Sequence, residues 1–353
     1  MRKALAILGL LLAAWVAFGL WTRSRRAPRP PSPAGEVRGA WHVHTTRSDG
    51  RGDLGEVLEA ARESGLRLVV LADHNVLAPE DAGWKDGVLV VAASEISAPY
   101  GHVVGLGLPR ELTREERQRD TLGTVRGLGA QAVLAHPFHP GRPFTRWTRD
   151  DWSGLEVVSN DSFWGLTRRD DAWWRAALAL LRLPWDPGQA MLAFFQPPER
   201  ELARFDAVAA RRRLALLCAS DAHGWPSYRA AFEAFSMHLP VELTGDAAVD
   251  VPRVERALLD GVASCVLDAV APAWGVRLSL APSGDRIDLQ VGTSGPGRSS
   301  YQLFRDGAPV GNMPAAPGGA AFTCGGPCPR GAWRAEGRRD GTPWLFTNPV
   351  WIE

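Results

Sequence analysis

Residues 42–50 read His42-Val43-His44-Thr45-Thr46-Arg47-Ser48-Asp49-Gly50. Side chains alternate between the faces of an extended strand, so the His42 and His44 imidazoles emerge on one side and can share one ion. Further short motifs carry the same side chains: Ala72-Asp73-His74-Asn75, Ser94-Glu95-Ile96-Ser97, Gly101-His102, Ala135-His136-Pro137-Phe138-His139-Pro140 and Ser220-Asp221-Ala222-His223. Of the eight histidines, His42, His44, His74, His102, His136 and His223 lie at the ends of apolar runs, with Asp49, Asp73, Glu95 and Asp221 as their acidic companions, and His139 follows His136 by three. His238 stands alone and reads as an ordinary surface or capped histidine. Imidazoles with carboxylates and few thiolates suit Zn²⁺, Mn²⁺ or Fe²⁺ rather than a cysteine-held structural zinc.

Outward from these motifs the chain alternates apolar runs with amphipathic stretches. Leu54, Val57, Leu58 and Ala61 have helical spacing, and Gly65 fits the position just past a helix end. Apolar runs follow at 68–71, 88–92, 102–108, 132–135, 155–159 and 214–219. Strands alternating with helices predict parallel βα units. Polar residues recur at the C-terminal ends of these strands, where α/β barrels place their sites. Each motif alone is a weak signal; their shared position at successive strand ends is a strong one.

The 353 residues suffice for a large domain with a smaller partner. A 45% hydrophobic composition with only four cysteines excludes disordered, collagen-like and disulfide-scaffold classes. A net charge of +1 gives no nucleic-acid signal. No G-x-S-x-G elbow and no Walker-type glycine run is present.

Residues 4–21 form an uncharged run of 18 behind Arg2 and Lys3. As a helix the run would measure about 27 Å at about 1.5 Å per residue, close to a bilayer's hydrocarbon thickness. Ala17-Phe18-Gly19 is a poor cleavage site, so an uncleaved membrane anchor is favoured over a removed signal segment. Arg23, Arg25, Arg26 and Arg29 after the run oppose Arg2 and Lys3 before it, so charge does not choose a side, though it slightly favours a cytoplasmic C-terminus. Bulk domains behind such anchors are often exported, and the expectation is a barrel on the extracytoplasmic side. Residues 27–36 are a Pro-rich linker.

The barrel unit is read as 37–238, with a Trp-rich insertion at 163–205 that contains Trp164, Trp173, Trp174 and Trp185. Those tryptophans read as core or cap packing, with a bilayer-interface role as the alternative. A helical connector is expected at 239–269 and a small antiparallel β domain at 270–353, where Arg305-Asp306-Gly307 looks like a hairpin turn. Cys324 and Cys328 are spaced either for a turn-closing disulfide or for two free thiols, and Cys218 reads as an inert thiol in an apolar strand.

The motif series, in its order, resembles the PHP (polymerase and histidinol phosphatase) superfamily over residues 38–238. The segments Gly331–Gly337 (GAWRAEG) and 343–353 (PWLFTNPVWIE) resemble the C-terminal β domain of the CehA/McbA-type metallohydrolases. The resemblance implies an α/β fold: a distorted (β/α)7 PHP barrel with an antiparallel β-sandwich-like domain after it and a transmembrane helix before it. Two or three divalent ions at the strand ends are implied as cofactors. By motif, His42, His44, Glu95 and Asp221 would hold the first ion. Glu95 would bridge to a second ion on His102 and His136; His74, His223 and Asp49 would hold a third. Asp73 would orient a ligand imidazole from outside the ligand set.

The implied function is metal-dependent hydrolysis by a hydroxide bridging two ions, with a phosphoester as the leading substrate. A carbamate or ester hydrolase is the alternative, and a catalytically inactive metal-binding module a further one. Asp221 or His223 would take a proton, His139 would donate one or face the substrate, and Arg142 would face an anion. The partners expected are a small or phosphorylated substrate and, through the N-terminal helix, a membrane.

Overall fold

A computed structural model describes residues 2–27, 29–316 and 318–353. Helix α1 (Arg2–Arg25) leads, and its Arg2–Ser24 stretch is long and apolar enough to cross a membrane as an anchor or to serve as a signal sequence. Seven strands then close a barrel: β1 (Val37–Val43), β2 (Leu68–Leu71), β4 (Val88–Ala98), β5 (Gly101–Leu106), β6 (Gln131–Leu134), β7 (Gly154–Ser159) and β8 (Ala215–Ala222), with β8 pairing back to β1. A short strand β3 (Gly83–Lys85) forms a hairpin with β4.

Outside the barrel lie α2 (Leu54–Glu63) and α3 (Arg114–Gly127), each started by a capping box, Asp53/Glu56 and Thr113/Glu116. Gly65 takes φ +70°, which only glycine adopts without penalty, and α2 stops where its spacing predicts. The buried runs of β1, β2, β4 and β6–β8 fill the barrel with Val, Leu and Ala, and Trp41 is almost wholly enclosed.

The barrel departs from the expected all-parallel arrangement in one strand. β5 runs antiparallel to both β4 and β6. Only Pro99 and Tyr100 separate β4 from β5, whereas a parallel crossover needs about a dozen residues or more. The reversal matters for the site. His102 stands at the start of β5, so the antiparallel direction brings it to the barrel end where the other strands finish.

Four helices occupy the stretch that includes the Trp-rich insertion: α4 (Asn160–Arg169), α5 (Trp173–Arg182), α6 (Pro187–Leu192) and α7 (Glu199–Ala209). Trp164 packs on Phe194 with ring centroids 5.3 Å apart. Trp185 meets Trp15 of α1 edge to face at 5.2 Å. Trp173 and Trp174, expected to pack, are instead exposed.

After helix α8 (Tyr228–Ala234), β9 (Ser236–Leu239) pairs antiparallel with the first half of β1. Helix α9 (Ala247–Leu259) leads to β10 (Ser264–Val266), which pairs with β9. The remaining strands are β11 (Ala273–Leu280), β12 (Arg286–Thr293), β13 (Ser299–Arg305), β14 (Ala308–Met313), β15 (Ala315–Ala316), β16 (Gly319–Thr323), β17 (Gly331–Arg339), β18 (Thr342–Thr347) and β19 (Val350–Ile352). Strands β11, β12, β16 and β15 form a separate four-stranded sheet. β13, β14, β17 and β18 continue the barrel sheet through the β10–β18 pair. Phe322 of the smaller sheet packs on Trp333 of the larger at 6.4 Å. The turn at Asp306-Gly307 joins β13 to β14 as expected, with both residues at positive φ.

Two readings of single residues are corrected. His238 is fully buried: Arg38↔His238 pairing in the β1–β9 ladder sets its Nδ1 3.3 Å from Glu36 and its Nε2 3.7 Å from Asp268. Cys218 is no free thiol: β8 and β9 both pair with β1, β10 pairs with β9, and Cys265 of β10 thereby comes to a Cα distance of 5.8 Å and is joined to it. Cys324 and Cys328 close the second disulfide.

All four cysteines are therefore paired. Unreduced protein unfolded in guanidinium is expected to release no thiol to Ellman's reagent. Replacing Cys218 and Cys265 together by alanine should cost about 2–4 kcal/mol in urea unfolding, the usual effect of removing such a cross-link.

Candidate metal centre

Each strand of the closed barrel except β7 delivers one or more ligand-type side chains to the same end, and β7 delivers their support. The β1 end carries His42 and His44, the turn after β2 carries Asp73 and His74, and β4 carries Glu95. His102 begins β5, His136 follows β6, and Asp221 and His223 end β8. His42, His136 and Asp221 take φ of 67°, 28° and 45°. Non-glycine residues in that region cost about 1–3 kcal/mol each and persist where the surroundings dictate them.

The centre of the cluster is the buried Glu95 carboxylate. Its Oε1 lies 2.6 Å from His102 Nδ1 and 2.8 Å from His136 Nε2. Its Oε2 lies 3.0 Å from His74 Nδ1, 3.2 Å from His42 Nε2 and 3.3 Å from His44 Nε2. Asp221 Oδ1 adds a second anionic face, 3.3 Å from His44 Nε2 and 3.8 Å from His42 Nε2. Asp49, half exposed, closes the outer side with oxygens 3.3 Å from His223 Nε2 and 3.5 Å from both His44 Nδ1 and His74 Nε2. All nine expected ligands thus fall in one continuous cluster.

Several ring nitrogens there are chemically incomplete. His42 Nε2, His44 Nε2 and His74 Nδ1 are buried, approach carboxylate oxygens, and make no hydrogen bond of proper geometry. Buried polar atoms without partners are rare and demand an explanation. Three donor groups satisfy the spacing for an ion: His42/His44/Glu95, His74/Glu95/His102 and His44/Asp49/His74/His223. A nitrogen and oxygen donor set of this kind fits a divalent transition ion.

The charge balance of the metal-free cluster points the same way. Burial opposes protonation of His42, yet the carboxylates of Glu156, Glu95 and Asp221 raise it well above the usual imidazole range. His44 likewise overcomes burial through Asp221 and Glu95 and rises to about 9. Burial drives His74 down to about 4. Glu95 and Asp221 are held well below the carboxylate range against burial, both by His42 and its imidazole neighbours. Without ions, protons on His42 and His44 neutralise charge that cations would otherwise neutralise.

One residue that supports the site escaped the sequence reading. Glu156 of β7 lies wholly buried, with Oε1 accepting from the Trp41 indole at 2.7 Å and 2.8 Å from His42 Nδ1. Its Oε2 accepts the His136 backbone N–H at 2.7 Å. Glu156 thereby holds the Nδ1 proton of His42 and turns Nε2 toward the cluster, so that loss of the Nε2 proton would present its lone pair to an ion. The available signal was a single charge inside the apolar run Gly154–Ser159.

Asp73 was expected in that orienting role and is placed elsewhere. Its Oδ1 accepts from Thr45 N at 2.8 Å and Ser48 Oγ at 2.6 Å, and Oδ2 from Thr45 Oγ1 at 2.9 Å. The turn after β2 directs the carboxylate into the 45–48 loop rather than onto an imidazole, and so it positions Asp49.

His139 and Arg142 sit at the edge of the cluster. Both bind Asp161, a residue the sequence reading also passed over: His139 Nε2 at 3.2 Å and Arg142 at 3.3 Å from its Oδ2. Burial would raise the Asp161 carboxyl, but the bond from His139 holds it low. His139 Nδ1 accepts the Gly141 N–H at 3.1 Å, so both ring nitrogens are engaged. The cluster opens into a cavity of 280 Å³ walled by Asp49, Asp221 and His223 on one side and Trp164, Phe194 and Trp225 on the other, with Arg142 at the edge.

No family model matches the chain, and no curated protein matches it. Among solved structures it is similar to a two-domain protein from Bacteroides vulgatus described as containing a predicted PHP-like metal-dependent phosphoesterase. The identity is 12%, covering 92% of this chain and 98% of that one, with a TM-score of 0.41. A candidate metal-dependent phosphoesterase from Bifidobacterium adolescentis matches at 17% identity over 64% of this chain and 96% of its own, TM-score 0.34. An amidohydrolase from Chromobacterium violaceum, with bound sulfate and no metal, matches at 16% over 52% and 87%, TM-score 0.31. Scores of this size assign neither family nor activity, and the chemistry rests on the residues of the site.

Two outcomes are expected. His44, with a pKa of about 9, must lose its proton to ligate. Metal binding at pH 7.5 should therefore release protons, visible as a dependence of calorimetric heat on buffer ionisation enthalpy, and affinity should rise with pH from 6.5 toward 9. Glu156→Ala should weaken metal affinity by about 10–100-fold, measured by competition with a chelator.

Proposed function

We propose that the chain is a metal-dependent hydrolase whose leading substrate class is a phosphoester. One observation carries the reading: a single buried carboxylate, Glu95, stands between five imidazoles, with two nitrogens within 2.8 Å of one oxygen and three within 3.3 Å of the other. A carboxylate so placed is suited to bridging two cations. His42, His44, Glu95 and Asp221 would hold one ion, Glu95, His102 and His136 a second, and His74, His223 and Asp49 a third. Divalent ions there supply Lewis-acid polarisation of a P=O or C=O oxygen and an acidified water.

The remaining roles belong to the chain. Asp221 and His223 face the cavity; His223 Nδ1 bonds to the Asp221 carbonyl oxygen at 3.0 Å, leaving Nε2, 3.3 Å from Asp49, to ligate the third ion or, where that ion is absent, to accept a proton. His139 is held by Asp161 and orients Arg142 through that shared partner rather than giving up a proton in this arrangement. Arg142, partly exposed on the cavity wall, favours an anionic group. That cation supports a phosphoester over the alternative carbamate or neutral ester. The complete ligand set speaks against an inactive module.

The apolar α1 and the two disulfides support a membrane-anchored protein whose barrel lies in an oxidising, extracytoplasmic compartment. Reporter fusions after Gly35 test this, and activity confined to a cytosolic reporter would reverse it.

Elemental analysis of purified protein should find at least two equivalents of Zn, Mn or Fe, with turnover on phosphoesters exceeding that on carbamates. Glu95→Gln keeps size but removes the shared charge, and should lose more metal and more turnover than His74→Asn. Asp73→Asn, acting through the 45–48 loop, should be the mildest of the three, at about 10–100-fold or less. Two retained metals and normal turnover in Glu95→Gln would overturn the bridged reading.

A further inference from the structure

The outward face of α5 carries no charge. Trp173, Trp174, Leu180 and Leu181 are 52%, 63%, 67% and 51% exposed, and Ala177 between them is exposed too. Their spacing makes one helical stripe, and the only buried residue of α5 is Ala179. A helix on the surface of a soluble protein turns its polar side outward; this one does the reverse. Large tryptophan-containing apolar faces of this kind belong at a bilayer interface or under a partner.

The neighbouring element decides between them. Helix α1 lies against this insertion: Trp15 Nε1 donates to the Leu181 carbonyl at 3.1 Å, and Trp15 packs on Trp185. Gly19 approaches the Trp185 ring so closely that a Cβ would overlap it. Among the described residues α1 is the one helix apolar and long enough to enter a membrane. The bare face of α5 therefore sits beside the helix that a bilayer would surround. Arg26, Arg29 and Arg182 line a separate cavity of 230 Å³ next to the end of α1. Guanidinium groups at that level suit the phosphate layer of an anionic leaflet.

A row of aromatic rings connects the same face with the metal cavity. Trp225, half exposed in the cavity wall, lies 5.7 Å from Trp164, and Trp164 lies 6.3 Å from Trp173 at the start of α5. The route runs from His223 at the cluster to the exposed stripe of α5.

We propose that α5 seats the mouth of the metal cavity on the bilayer entered by α1, and that the site cleaves a phosphate ester in the headgroup of a membrane amphiphile whose chain lies along Trp225, Trp164 and Trp173. The substrate class rests on the hydrolase reading above; the seating of α5 does not. In the cleavage, the oxygen of one water bonds to phosphorus as the P–O bond to the leaving alcohol breaks. The alcohol takes one of the water's hydrogens, and the phosphate product keeps the other.

The test uses the full chain reconstituted in vesicles of phosphatidylcholine and phosphatidylglycerol. A nitroxide on Leu180→Cys should be accessible to oxygen and protected from a water-soluble nickel chelate. Free access of the chelate would overturn the seating. Protection from both reagents together with a dimer in solution would place a second copy on this face and overturn it as well, as would loss of residues 1–19 from the mature protein.

For the substrate class, 4-nitrophenyl hexadecyl phosphate is compared with 4-nitrophenyl methyl phosphate, which shares its leaving group. Wild-type kcat/KM should favour the hexadecyl ester by about ten-fold or more, because each buried methylene adds affinity. Leu180→Glu with Leu181→Glu should erase most of that preference and leave the methyl ester unaffected. Equal turnover of both esters by the wild type would overturn the amphiphile assignment alone. Turnover of neither, with metal bound, would overturn the phosphoesterase reading and the assignment with it, while the nitroxide still reports the seating.

Discussion

A carboxylate shut off from bulk solvent, with five imidazoles within reach, is expensive to bury unless its charge is matched. Glu95 imposes that condition on the rest of the barrel. The strained backbone at His42, His136 and Asp221, the reversed strand β5 and the buried Glu156 all place positive or lone-pair groups around one anion. Removing two charges from water is favourable only with close geometry and saturated hydrogen bonding. Here part of that saturation is missing, since four buried ring nitrogens of the cluster, one each on His42, His44, His74 and His136, have no hydrogen-bond partner. The cluster is thus a set of donors arranged for cations rather than a self-sufficient salt-bridge network.

The readable part of this site was local. His42 and His44 share a strand face by simple alternation, and Asp73-His74 and Asp221 with His223 follow apolar runs that announce strand ends. The unreadable parts all depended on pairing between distant segments. Glu156 looks like one stray charge until β7 is set beside β6 and opposite Trp41. Cys218 looks inert until β9 and β10 bring Cys265 under β8. His238 looks superficial until the β1–β9 ladder encloses it with Glu36 and Asp268. Asp73 shows a further limit: its neighbourhood in sequence was right, but one turn decides whether its carboxylate meets an imidazole or a loop hydroxyl.

The Trp-rich insertion shows why composition underdetermines surroundings. Tryptophan favours both cores and interfaces, and the four residues divide between these. Trp164 packs on Phe194, Trp185 meets a second apolar helix, and Trp173 and Trp174 remain outside. Trp173 and Trp174 lie outside because of the way α5 faces, with Arg175 on the inner side bonding the Ala193 and Phe195 carbonyls at 3.2 Å and 2.9 Å.

The pairing of β1 has a consequence for how the protein is made. β1 holds His42 at its end, yet its neighbours include β8 and β9, strands contributed by residues some two hundred positions later. β9 in turn pairs with β10, and β10 with β18 near the C-terminus, while a covalent link ties β8 to β10. The ligands on β1 and β8 therefore meet only after β8 has emerged, well past the middle of the chain. A chain threaded unfolded through a membrane carries no assembled site with it. Under the proposed metal-site reading, such a chain would take its ions from the pool on the side where it folds, and the ions available there would set which metal it receives.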